Sequence, residues 1–293
     1  MQNEITGRIG NALNTQLVAI EADRPRERPE ALDYIFRARA TMNGRGPGRE
    51  AYAEAIGLYE QALSLDPRSV SAQGLLAQLL MGRVLEAMTD TRAADIERAE
   101  ALIGQVLAAF PRDPGAHYAK GQMLRAQGRC EEAIIEFEMV LAINRNSAGA
   151  LTHIGRCRIS AGLLDEAIQS IEQAIRLSPH DSFVGVWYSQ IGLAYLLHSR
   201  TDEAILWLEK SRSTSPNRPF GHIWLAAAYG LKEDTERAAA ELAEGRRLSV
   251  DLDAAYSSIA HLRASRNSMP EKGRALYEAT FDVGLRKAGI PKE

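Results

Sequence analysis

The chain has only two cysteines, Cys130 and Cys157, in 293 residues. That is too few for a disulfide framework, and they lack the paired spacing of a zinc site, so both read as helix-packing residues. No apolar run approaches the roughly 18 to 20 residues that span a bilayer. The opening MQNEITGRIG has neither the basic start nor the apolar centre of a signal peptide, which makes a cytoplasmic location the expectation. An excess of basic charge is missing too. A formal net charge of -3 and a pI near 6.1 give no global attraction to nucleic acid or to an anionic membrane.

The usual catalytic signatures are also lacking. There is no GxxxxGK[ST], no GxGxxG after a strand, no HExxH and no GxSxG, so neither a phosphate cradle nor a nucleophile elbow is encoded. The glycines of GRGPGRE have no lysine and serine beside them to complete a phosphate loop. The histidines (His117, His153, His180, His198, His222 and His261) include no pair at a spacing of three or four, which leaves metal binding unsupported. The acid pairs Glu131-Glu132 and Asp165-Glu166 recur at the start of second helices, where they favour the positive end of the helix dipole. No enzyme activity, cofactor or metal is expected.

What the chain does have is repetition. With 45% apolar and 25% charged residues it is a folded protein with a core. Ala133 and Ala167 lie 34 residues apart, and the same offset maps Gly121 to Gly155, Gly128 to Gly162 and Phe137 to Ile171. Ala204 and Ala238 head further copies, and Ala55 and Ala99 head copies upstream, giving six. Within each copy apolar residues recur at spacings of three and four, the signature of two amphipathic helices joined by a turn. Gly128 and Gly162 stand after first helices, while Pro67, Pro111, Pro179 and Pro216 close second helices, as helix stop signals do. Ala77, Gly121, Gly155, Gly192 and Ala226 fall in the middle of first helices, where glycine is unfavourable unless helices approach closely.

This pattern resembles the tetratricopeptide repeat. The first-helix aromatic, leucine, glycine and tyrosine of that motif match Tyr188, Ile191, Gly192 and Tyr195, and again His222, Leu225, Ala226 and Tyr229. Its second-helix alanine, aromatic, alanine and proline match Ala55, Tyr59, Ala62 and Pro67. The resemblance implies an all-α, right-handed superhelical solenoid of helical hairpins with terminal capping helices. Residues 1–28 are expected to form an N-terminal amphipathic helix and charged linker, 29–250 an array of about six hairpins, and 251–293 capping helices over its open apolar end. The N-terminal helix carries the stripe Ile5, Ile9, Leu13, Leu17 and Ile20. An insertion around MGRVLEAMTDTRAADIER predicts an extended first helix or an extra turn in the second copy.

A second resemblance is to the carboxy-terminal repeat region of bacterial nucleotide cyclase or winged-helix signalling proteins. It rests on the order NEITGRIGNALN, ALDYIFRARATMN, repeats and LYEATFDVGLRKAGIP. It implies a regulatory fragment in which residues 1–20 are the remainder of a preceding module, and no part of the chain matches a cyclase domain.

Function is then expected on the concave face that first helices line in this family. The motif positions that point into it include Gln78, then Tyr118, Gln122 and Arg125, then Thr152 and Arg156, then Ser189, Leu193 and Leu196, and finally Phe220 and Ile223. Two arginines in a polar middle suit a carboxylate, and the apolar far end suits apolar side chains or the chain's own terminal helix. The expected partner is a protein or peptide segment carrying an acidic residue; there is no nucleic-acid partner and no membrane span. Self-association through the N-terminal stripe is the alternative. The lysine and asparagine of the chaperone-tail clamp known in this family are absent from the matching positions, which hold Gly74 and Gln78, Tyr118 and Gln122, and Thr152 and Arg156.

Overall fold

The computed structural model describes residues 2–24, 30–45, 48–248, 256–267 and 269–293, and within its helices the side chains of 2–8, 11, 12, 45 and 265 are not described. Ile5 of the N-terminal stripe, linker residues 25–29, the glycine loop at 46–47 and the junction 249–255 therefore lie outside the described residues. All regular structure among those described is helical. The helices are α1 (Gln2–Ala22), α2 (Ala31–Arg45), α3 (Arg49–Leu65), α4 (Val70–Leu85), α5 (Arg92–Ala109), α6 (Pro114–Ala126) and α7 (Cys130–Ile143). They continue as α8 (Ala148–Ala161), α9 (Leu164–Leu177), α10 (Val184–Leu197), α11 (Thr201–Thr214), α12 (Pro219–Leu231) and α13 (Thr235–Leu248). The C-terminal segment holds α14 (Ile259–Ser265), α15 (Glu271–Leu276), a π-helical turn (Tyr277–Phe281) and α16 (Asp282–Lys287).

The chain divides into two compact units, Met1–His153 with Arg176–Phe183, and Ile154–Ile175 with Val184–Glu293. In the first unit, α2 pairs with α3, α4 with α5 and α6 with α7. They enclose a core that includes Ile35, Tyr52, Leu76, Met81 and Ile103. Helix α1 packs on α2 and buries Val18, while Ile9, Leu13, Leu17 and Ile20 are more than half exposed. In the second copy both helices lengthen, α4 to 16 residues and α5 to 18. The loop between them is held by buried Asp95, which accepts hydrogen bonds from Arg83, Thr89 and Thr91. In the second unit, α10 pairs with α11 and α12 with α13, burying Ile191, Leu208, Leu225 and Tyr229.

The glycines in the middle of first helices receive the large residue of the second helix. A β-carbon at Gly121 would sit 2.7 Å from the Phe137 ring, one at Gly155 2.6 Å from Ile171, and one at Gly192 2.5 Å from Leu208. Each hairpin closes on a large side chain seated against bare backbone, which offsets the intrinsic cost of glycine in a helix. The turn after the first helix is left-handed in five successive copies: Ala87 (φ 53°), Gly128 (φ 78°), Gly162 (φ 74°), Ser199 (φ 59°) and Glu233 (φ 63°). At helix starts, Ser69 and Asp113 accept from the backbone N–H three residues on, and Pro114 follows Asp113, a side-chain cap with proline in the first turn.

Two copies share a side-chain tie. His117 places Nδ1 2.6 Å from Glu136 Oε2 and Nε2 3.0 Å from the Pro111 carbonyl oxygen. His222 does the same with Glu241 (2.6 Å) and the Pro216 carbonyl (2.7 Å). Each tie joins the turn before a hairpin to both of its helices, which accounts for histidine at the motif's aromatic position.

Candidate functional site

The first unit contains a cavity of about 790 Å³ lined from α1, α2 and α4 and from the turns after α7 and α9. Its floor is apolar, with Met42, Leu75 and Leu79, and its walls carry amides, including Gln78 and Asn144. Gln78 donates to the Gly115 carbonyl at 3.2 Å. Arg39 lines one part of the wall, donating to Asn14 Oδ1 at 3.1 Å. Burial pushes the nearby Tyr59 hydroxyl above the usual tyrosine range, and the Arg39 charge opposes that shift. Asp181 lines another part; its Oδ1 accepts from the Phe183 N–H at 2.9 Å. Burial raises its carboxyl above the ordinary aspartate range, against the Phe183 hydrogen bond. The volume lies within the span of small-ligand clefts.

A second polar group in the same unit is closed. Tyr118 meets the Phe137 and His153 rings edge-on at 5.7 and 5.3 Å, and Phe137 stacks on His153 at 5.0 Å. The Tyr118 hydroxyl rests against Gly149, where a β-carbon would be 2.6 Å away. Burial lowers His153 well below the ordinary histidine range, helped by the charge of Arg125, so its imidazole is neutral and stays 3.3 Å from Gln122 Nε2. Gln122 and Thr152 are buried, Thr152 donating to the Gly149 carbonyl. Of the residues the sequence placed on an open groove in this unit, only Gln78 lines the cavity; Tyr118, Gln122 and Thr152 lie in hairpin packing. The amide-bearing turn residues and the charges at 39 and 181 were missed because they fall outside the first-helix motif positions used to choose candidates.

In the second unit the first-helix face is filled by the chain itself. The π turn packs on α10 and α12, and α16 packs on α12. Contact is backbone to backbone: a β-carbon at Gly284 would be 2.1 Å from the Ala227 carbonyl oxygen, one at Gly230 2.1 Å from that of Gly284, and one at Gly273 1.8 Å from that of Ser160. The C-terminal segment, expected to cap an open end, thus lies along first helices. Arg156 donates to the Tyr277 hydroxyl at 3.2 Å and sits over the Trp224 ring. Leu193 and Leu196 are fully buried, Ser189 is buried with its hydroxyl on the Val186 carbonyl, and Phe220 is half-buried 5.8 Å from Trp224. Ile223, expected either on the groove or under the chain's terminal helix, is buried against Gly245 of α13. These five are removed from solvent wholly or in part because the glycine crossings let the terminal helices approach and α13 close on α12.

Asp282 anchors this docking. It is 2% exposed and accepts from Arg263 and Arg266, so its charge is paired rather than stranded. No group of three or more metal-ligating side chains occurs among the described residues, and no described helix is long and apolar enough to cross a membrane.

Among known proteins, two tetratricopeptide repeat models match, over residues 84–148 and 148–181. No curated protein matches the sequence. Solved structures with the same fold include human IFIT1 in a dimer with m7Gppp-AAAA, at 14% identity and TM-score 0.64 over 90% of this chain and 60% of that one. A chain of the APC/C hetero-tetramer Cut9-Hcn1 has 16% identity and TM-score 0.60 over 89% and 47%. A tetratricopeptide repeat protein from Parabacteroides merdae has 18% identity and TM-score 0.50 over 88% and 84%. The matched models thus place tetratricopeptide repeats within residues 84–181, and the glycine-centred hairpins on either side share the all-α fold of these solved structures.

Proposed function

We propose that the chain is a non-catalytic scaffold that takes a peptide segment of a partner protein in the cavity of its first unit. The observation that carries this reading is a contrast: an open cavity of about 790 Å³ in the first unit, and a first-helix face in the second unit occupied by the chain's own terminal helices. An apolar floor with amide walls suits an extended segment, whose main-chain groups need donors and acceptors and whose side chains need apolar seats. The setting we propose is cytoplasmic bacterial signalling or regulation, supported by the order of terminal segments and repeats in the sequence. Selection of displayed random octapeptides on the full chain tests the reading. Enriched peptides should lose binding to Leu79→Trp, which fills the cavity, and keep it with Leu206→Ser, an exposed change on α11. Peptides indifferent to Leu79→Trp would place the binding surface elsewhere.

A second reading is favoured by α1. Ile9, Leu13, Leu17 and Ile20 are 53 to 67% exposed on one helix, and a contiguous apolar face of this kind marks interaction surfaces. Two copies pairing through it would form a dimer. Sedimentation of the native chain beside Leu13→Glu/Leu17→Glu decides: a monomer mass for both removes self-association.

A further inference from the structure

The cavity of the first unit is lined by two charged side chains, Arg39 and Asp181, that lack an oppositely charged partner among the described residues. Arg39 has as its polar partner Asn14, and no carboxylate pairs with it among the described residues. Asp181 spends Oδ1 on the Phe183 N–H, and no cation pairs with it among the described residues. The buried carboxylates of Asp95 and Asp282, by contrast, are each paired with an arginine, Arg83 and Arg266. A part-buried charge without a partner is costly, and such groups are retained where a ligand completes them.

We propose that this cavity reads a peptide segment of mixed charge, with a basic side chain delivered to Asp181, an acidic side chain to Arg39, and apolar residues between them over Leu75 and Leu79. This rests on the proposed peptide-binding function of the same cavity and assigns its ligand chemistry. Three observations support it. Asp181 is held in place by its turn to Phe183, so the carboxylate is presented without a search of rotamers. Burial raises that carboxyl, so a cation brought beside it would favour the charged form. The two charges are of opposite sign, and apolar, amide and hydroxyl side chains together with His180 line the cavity around them. A segment with both charges therefore fits in one direction only, because the reversed peptide brings like charges together.

The assignment corrects where charge recognition is sought. Arg125 and Arg156 are not among the residues lining this cavity. The acidic residue of the partner meets Arg39, and a basic residue, absent from the sequence-based expectation, is required as well.

The octapeptide selection extends to test this. Enriched sequences should share one basic and one acidic residue in fixed order and separation. A labelled peptide of the leading sequence should bind Asp181→Asn about tenfold more weakly, as for loss of a partly desolvated charge pair. Asparagine keeps the oxygen that accepts from Phe183, so the turn survives. Replacing the peptide's basic residue by glutamine should cost the native chain the same factor and cost Asp181→Asn nothing further. Arg39→Gln and the peptide's acidic residue should behave likewise. On the native chain alone, the same peptide with its two charges exchanged should bind about tenfold more weakly, a readout independent of how either variant folds. Enriched peptides that bind Asp181→Asn and Arg39→Gln as tightly as the native chain, while still excluded by Leu79→Trp, would overturn the charge assignment and leave the peptide cavity standing. Absence of any enrichment would remove both.

Discussion

The contact of α12 with α16 makes a prediction whose sign is diagnostic. Gly284→Ala places a methyl carbon 2.1 Å from the Ala227 carbonyl oxygen and 2.8 Å from its carbon. Optimal separation for such atoms is about 3.5 Å, so the helices must part by roughly 1 Å, and the obstacle is backbone that cannot rotate away. Overpacking of this kind costs about 1 to 3 kcal/mol. Against it runs the helix preference of alanine over glycine, about 0.5 to 1 kcal/mol in favour of the variant. The net expectation is a loss of about 1 to 2 kcal/mol, or roughly 2 to 8 °C in melting midpoint for a chain of this size. Gly104→Ala is the control: nothing lies within 4 Å of its β-carbon position in the middle of α5, so the same substitution should raise the midpoint. Thermal melts of both, followed by helical circular dichroism, settle it. If Gly284→Ala stabilises as Gly104→Ala does, the two backbones do not meet as described.

Four further outcomes are expected. Gly155→Leu should lower the melting midpoint, because even a single β-carbon there meets Ile171 at 2.6 Å; an unaltered midpoint would contradict the repeat register. Ser199→Gly should raise it, since serine at φ 59° bears a left-handed penalty of about 1 kcal/mol that glycine escapes. Asp282→Ala leaves Arg266 buried without its carboxylate and should cost about 3 to 5 kcal/mol, visible as a lower urea midpoint; no change would mean the pair contributes nothing. The pH dependence concerns His222, where burial opposes protonation but is outweighed by the hydrogen bonds to Glu241 and the Pro216 carbonyl, so its folded pKa is raised. Its stabilisation is present below the ordinary histidine value and is lost as pH rises through the higher folded value. Glu241 is held low by His222 and Arg212 in spite of burial, so its contribution fades only in acid. As pH rises above the ordinary histidine value the native chain should lose stability relative to His222→Gln, and parallel curves of midpoint against pH would refute the assignment.

The hairpins were legible in sequence because their determinants are local and recur: Gly155 and Ile171 repeat the pair Gly121 and Phe137 at the same offset, and each pair meets in the structure. The left-handed position was legible where glycine fills it and hidden at Ala87, Ser199 and Glu233, since none of these residues advertises a positive φ. The surface was harder. Motif position suggested that Leu193 and Leu196 face a groove, yet whether that face is open or covered depends on Gly230 meeting Gly284, a match between distant segments that no periodicity announces. The cavity shows the same limit. Gln78 lies on a first helix and was found, while Asp181 and Asn144 come from turns brought into place only by the stacking of hairpins.

The paired histidine ties have a mechanical consequence. A solenoid is a row of units in which each senses only its neighbours, so its cooperativity is set at the joints. At Pro111 and Pro216 the joint is riveted, because the carbonyl of the entering turn and the carboxylate of the second helix are gripped by one imidazole. Hydrogen exchange should therefore release the turn and its hairpin together at these two places, so that a load applied there is shared by three elements before any one of them yields.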